Sequence, residues 1–159
     1  MTPAALAVLA TILALPFVAA QDRPNFSGTW TMDPSRSASA VQNEPIVSVT
    51  QVIVQTPNEL RVETQRPDGV LAVTYRLDGS ETKIADGTAR LHWEGTTLVT
   101  EAVRIIKDQT VTTKETRRLN HDGSEMLVET TLVVQHGYTL RATPNYGVGR
   151  DVYTRVQPR

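Results

Sequence analysis

The chain contains no cysteine. Disulfide frameworks, cysteine-ligated zinc and thiol nucleophiles are therefore excluded. Histidine is scarce: His92, His121 and His136 are the whole supply. None of them has the i, i+4 helical or tight strand spacing of a metal-binding pair. Aromatic residues make up 5% of the 159 residues, with two Trp and two Phe. Neither sign of charge dominates, since 16 Lys and Arg oppose 17 Asp and Glu, a net charge of -1. A nucleic-acid partner is thereby disfavoured, because phosphate binding needs a basic surplus. Balanced charge with 40% apolar residues also argues against a disordered chain.

Long apolar runs are absent apart from one, Ala4 to Leu15, within an N-terminal stretch free of charged side chains through Ala20. That run matches the core of a signal peptide and falls short of the ~20 residues that span a bilayer. Pro16 ends it, and Val18 and Ala20 supply the small residues a signal peptidase reads. The expectation is cleavage between Ala20 and Gln21, with residues 1–20 a signal peptide. Residues 21–159 then form one domain, secreted or periplasmic, with no membrane attachment after cleavage. The lack of Lys or Arg before the run is off-pattern and leaves an uncleaved anchor as the alternative. No cysteine follows the run, which excludes a lipidated anchor. An exported domain without disulfides must rely on its core. About 140 residues suffice, since such a chain buries roughly two-thirds of its unfolded surface.

After Ala20 there are 20 Thr and 17 Val. Both are β-branched, stiff at the first side-chain torsion and suited to a pleated surface. Turn signals recur at Asp68-Gly69, Asp78-Gly79, Asp86-Gly87 and Asp122-Gly123, with further breaks at Pro57-Asn58, Glu94-Gly95 and His136-Gly137. Between them lie runs of strand length: 28–32, 46–55, 59–65, 70–77, 81–84, 88–93, 97–106, 110–120, 125–135, 138–143 and 151–157. Alternation puts Leu71, Val73, Tyr75 and Leu77 on one face. It likewise groups Ala89, Leu91 and Trp93, and Met126, Val128, Thr130, Leu132 and Val134. Along 97–106 the two faces are equally apolar and the inward one stays open. Only Asp33 to Glu44 offers a helix, with Asp33 as cap and Pro34 in the first turn. Tandem hairpins without crossover helices imply an all-β, antiparallel up-and-down barrel of about 8–10 strands. A two-sheet sandwich is the alternative.

Asn25-Phe26-Ser27-Gly28-Thr29-Trp30 opens the first strand and is followed by Asp33 and Ser37. This motif resembles the first-strand signature of the lipocalin and fatty-acid-binding-protein (calycin) superfamily, and in its longer form the opening of bacterial secreted lipocalin-like proteins. The second lipocalin motif, Thr-Asp-Tyr, is missing, which favours the fatty-acid-binding-like or a divergent branch. The resemblance implies that Trp30 plugs one barrel end and that a basic residue of the last strand packs across its ring. Arg155 is the first choice for that residue and Arg150 the second, with Gly28 allowing close backbone passage.

Chemistry-bearing patterns are few. There is no Gly-x-Ser-x-Gly elbow. Ser80 and Ser124 follow turn glycines and read as hairpin residues. Gly147-Val148-Gly149 has no helix after it and reads as a loop rather than a phosphate cradle. Glu115, Glu125 and Glu129 read as solvent-facing partners of Lys114, Arg117 or Arg118, a general acid–base pair being the alternative. His92 shares the face of Arg90, opposite Leu91 and Trp93, while His121 and His136 read as turn residues. No catalytic residue, metal site or cofactor is expected. The remaining site is the barrel interior, with candidates Val73, Tyr75, Leu91, Trp93, Arg104, Arg117, Leu132 and Arg141. Val128 and Leu140 share those faces. With so few aromatics the cavity should be aliphatic. An inward arginine would hold a carboxylate, as the resemblance implies. The expected function is binding of a small hydrophobic or amphiphilic molecule, a fatty-acid-like ligand being one case. A filled, non-catalytic interaction domain is the alternative, and a barrel-mouth enzyme the third.

Overall fold

A computed structural model describes residues 23–40, 46–136 and 145–157. Ten strands form one antiparallel sheet. They are β1 (Gly28–Met32), β2 (Thr50–Gln55), β3 (Glu59–Arg66), β4 (Gly69–Arg76), β5 (Glu81–Ile84), β6 (Gly87–Glu94), β7 (Thr97–Ile106), β8 (Gln109–Leu119), β9 (Glu125–His136) and β10 (Asn145–Arg155). Their order is β4-β3-β2-β1-β10-β9-β8-β7-β6-β5. Consecutive strands therefore pair, except β4 with β5, and β1 also takes β10, with Trp30 opposite Arg155. That step turns a meander into a nearly closed barrel. The seam lies between β4 and β5, which share no ladder. Beside it, backbone bonds from Leu77 to the Asn58 carbonyl (2.8 Å) and from Gly79 to the Leu91 carbonyl (3.0 Å) tie the chain together.

One end of the barrel is packed solid. Phe26, Trp30, Ile53, Leu60, Leu91, Leu98 and Met126 are fully buried there. Each large apolar side chain contributes roughly 1.5–3 kcal/mol of transfer free energy. The Trp30 indole donates to the Phe26 carbonyl at 2.9 Å, so its polar atom is satisfied inside the plug.

The structure corrects three expectations. The helix expected from Asp33 is a single 3-10 turn, Pro34–Arg36, capped by the Asp33 side chain, which accepts from the Ser35 amide at 3.0 Å. Ala38 then returns to β10, exchanging two 2.7 Å backbone bonds with Arg150, and this ladder pairing takes the place of helix. Residues 41–45 lie outside the described residues. Second, Gly147-Val148-Gly149 is strand, not loop: β10 starts at Asn145 and pairs with β9 throughout. The glycines are there because the chain at Ala40 crosses them. A Cβ on Gly147 would stand 2.0 Å from the Ala40 carbonyl oxygen, and one on Gly149 would stand 2.6 Å from the Ala40 nitrogen. Third, His136 ends β9 instead of sitting in a turn. The strand expected over 138–143 lies outside the described residues. The hairpin between β7 and β8 turns without glycine, on Lys107 and Asp108 at φ 50° and 62°, the positive-φ pair a tight two-residue loop requires.

Candidate functional site

The inner faces of the strands follow from the period of two once a single residue is placed. Trp30 in the plug fixes that phase. On β10 the inward set is Arg155, Tyr153, Asp151 and Gly149; on β8 it is Arg117, Glu115 and Thr113; on β7 it is Leu98, Thr100, Ala102 and Arg104. Above the plug these side chains stop meeting, and a cavity of about 680 Å³ remains. Its apolar wall includes Met32, Val49, Val62, Leu71, Val73, Ala102 and Val128. The rest is polar, with Gln51, four threonines, Tyr75, Tyr153 and six charged residues: Arg66, Asp68, Arg104, Glu115, Arg117 and Asp151. The apolar share of the lining is aliphatic, as expected, and polar and charged side chains share the cavity with it. Few aromatics left room for Thr, Arg and acidic residues on the inward positions as well as for Val and Leu.

Of the sequence candidates, Val73, Tyr75, Arg104 and Arg117 line the cavity. Leu91 and Trp93 share their strand face but lie one level lower. Leu91 is fully buried in the plug. Trp93 packs against the plug, with Phe26 at 6.0 Å between ring centroids and the Arg23 guanidinium 5.3 Å from its ring. Leu132 pairs with Thr113 and Gly147 above the cavity wall, near the Ala40 crossing. Arg141 and Leu140 lie outside the described residues. Gly28, Trp30 and Arg155 meet at the closed end. The Arg155 guanidinium sits 4.1 Å over the Trp30 ring. It donates to the Gly123 carbonyl at 2.8 Å, the Asn25 carbonyl at 3.2 Å and the Ser27 carbonyl. Gly28 has φ 141°, and a Cβ there would stand 2.8 Å from Arg155 Nη1, so this corner admits only glycine.

Charge inside the barrel is arranged by depth. Arg117 is the deep cation, 4% exposed. Glu115, two residues before it on the same face, forms an ion pair with it, and Thr100 Oγ1 accepts from it at 3.3 Å. The expectation that an inward arginine stands ready for a ligand carboxylate therefore fails at Arg117, whose charge is already met within the chain. Glu115 points inward, not to solvent, whereas Glu125 and Glu129 do lie outside, paired with Arg36 at 2.7 Å and Arg118 at 3.2 Å. The three glutamates therefore form no common acid–base site. His92 lies on the outer face with Glu94 at 3.3 Å. No group of three or more potential metal ligands occurs among the described residues.

Sequence reasoning missed Asp151. It was legible by parity, because Arg155 had been assigned to the barrel end and steps of two lead to Tyr153 and then Asp151. Burial, together with the nearby Glu115 charge, pushes the Asp151 carboxyl above its ordinary range. Burial also pushes the phenols of Tyr75 and Tyr153 up. Gln51 donates to the Tyr153 hydroxyl at 3.3 Å, and its Oε1 has no partner.

No family model matches the chain. No curated protein matches it either. Solved structures do. The chain is similar to Echinococcus granulosus fatty-acid-binding protein 1, at 15% identity and TM-score 0.58, covering 83% of this chain and 98% of that one. It is also similar to the fluorescent protein UnaG, at 16% identity and TM-score 0.57, covering 82% and 97%. Human cRBP IV aligns at 14% identity and TM-score 0.56, covering 84% and 99%. What these structures share with the chain is the fold, an antiparallel up-and-down β-barrel. At these identities the likeness concerns architecture alone.

Proposed function

We propose that this protein is an exported, non-catalytic barrel that binds one small molecule with an apolar body inside its cavity. The observation that carries this reading is the cavity of about 680 Å³ above the plug, within the size range of small-molecule sites. Similarity to a fatty-acid-binding protein supports it. The outward placement of His92, Glu125 and Glu129 favours binding over catalysis. Met1 to Ala20 supports export to a secreted or periplasmic location, with a mature chain starting at Gln21.

The test is titration of the protein with Nile red, a neutral dye that brightens in apolar surroundings. Saturable one-to-one brightening, lost in Ala102→Trp where the new ring fills the cavity, is the expected result. A flat titration with the native protein refutes the reading and favours a domain that works through its outer surface. Expression of the full chain in a secretion-competent host, with N-terminal sequencing of the exported product, tests cleavage after Ala20.

A further inference from the structure

The interior is richer in unsatisfied acceptors than in free deep cations. The deep positive charge, Arg117, is bound by Glu115. Its Nε lacks a partner, but its charge does not. The other two cavity arginines lie toward the mouth. Arg66 ends β3 beside the Pro67-Asp68 turn, and Arg104 stands two residues before the end of β7. Deep on the β2 and β10 wall the arrangement is reversed. Gln51 is 7% exposed and its Oε1 has no partner. Turning the amide over would leave its NH2 unpaired in place of the oxygen, so one polar atom of Gln51 stays unsatisfied either way. The Tyr153 hydroxyl accepts from Gln51 and keeps both a further lone pair and its own proton, so it can pair with a hydroxyl head in either sense. Two residues nearer the mouth, the half-buried Asp151 carboxylate meets no ion-pair or hydrogen-bond partner among the described residues. Arg66 acts on it only at a distance, and the Glu115 charge opposes its ionisation.

We infer that Asp151, Tyr153 and Gln51 receive the proton-donating head of the ligand, so that the cavity selects an apolar molecule ending in an amine or an alcohol over one ending in a carboxylate. This rests on the ligand-binding reading above and sharpens it. A buried acceptor left unmatched is costly. An ammonium or hydroxyl head would supply the missing donors, while the apolar body lies along Val62, Val73, Ala102 and Val128. A carboxylate head in the same place would face the like charges of Asp151 and Glu115 and leave Gln51 Oε1 unpaired.

Displacement of bound Nile red by dodecylamine, dodecan-1-ol and dodecanoate at pH 7 tests this on the native protein, Asp151→Asn and the outer-face control Glu129→Gln. The amine is expected to displace the dye at about tenfold lower concentration than dodecanoate, with the alcohol between them. Asp151→Asn should remove the advantage of the amine over the alcohol, and Glu129→Gln should keep it. Dodecanoate matching or beating the amine overturns the inference, as does an unchanged ranking in Asp151→Asn. If Nile red binds and none of the three displaces it, the head-group assignment falls and the ligand-binding reading stands. If neither the dye nor any of the three binds, both fall.

Discussion

Glu115→Gln removes the counter-charge of a guanidinium held almost wholly inside the barrel. After the change Arg117 retains a 3.3 Å bond to Thr100, and its Nε has no partner. Deleting one member of a buried ion pair costs ~3–5 kcal/mol. Glu115 keeps 29% of its side chain exposed to a cavity wide enough for water. The expected loss is therefore nearer ~2 kcal/mol, as part of the charge becomes hydrated. Urea unfolding followed by the fluorescence of Trp30 and Trp93 should show the midpoint falling by about 1 M, given slopes of ~1–3 kcal/mol/M. The double variant Glu115→Leu/Arg117→Met should recover most of the loss, because an apolar pair replaces the ionic one. Set against Glu115→Leu and Arg117→Met made singly, the double variant should show a coupling of ~1.5–2 kcal/mol. Costs that add within ~0.5 kcal/mol would refute the reasoning, since Arg117 would then be solvated without Glu115. The same single change frees Arg117 for an external anion, so dodecanoate should bind Glu115→Gln about tenfold more tightly than the native protein.

Arg155→Ala removes the stack on Trp30 and three bonds to carbonyls; calorimetry should show a loss of ~2–4 kcal/mol, and Arg155→Lys should recover only part of it. Asp33 is held down from an ordinary 3.8 to about 2 by the Ser35 hydroxyl bond and then by Arg36. Its contribution to stability is therefore present above pH 3.8 and lost as pH falls toward 2, and Asp33→Ala should flatten the acid limb of the unfolding midpoint in that window. Asp151 runs the other way. Its raised folded value means that the folded state holds the proton longer, so its ionisation destabilises as pH rises. Asp151→Asn should accordingly be more stable than the native protein at pH 7, with the difference closing below pH 4; equal stability at pH 7 would contradict the cost of burying its charge.

Much of the barrel was legible in local pattern. β-branched content, period-two alternation and Asp-Gly punctuation located nine of the ten strands to within a few residues, because those signals depend only on neighbours in the chain. The closed end was legible too. The motif Asn25 to Trp30 is compact, its resemblance implied a basic residue of the last strand across the Trp30 ring, and Arg155 lies there. Where local signals conflicted with distant contacts, the contacts decided. Gly147 and Gly149 read as loop because their reason is the passage of Ala40, more than a hundred residues earlier. Along 97–106 both faces were apolar, so only the ladder with β6 and β8 could turn Thr100, Ala102 and Arg104 inward.

The sequence by itself determined that this chain is a Thr- and Val-rich antiparallel β domain without cysteine chemistry, because composition and periodicity are local; the tryptophan plug came from the resemblance of its opening motif. Only the tertiary structure decided where the plug ends and the cavity begins. It alone showed that Leu91 and Trp93 fill while Val73 and Tyr75 line, that Glu115 consumes the charge of Arg117, and that Asp151 stands inside without a partner among the described residues. Depth along the barrel axis depends on how ten strands are staggered against each other, and no single strand carries that information.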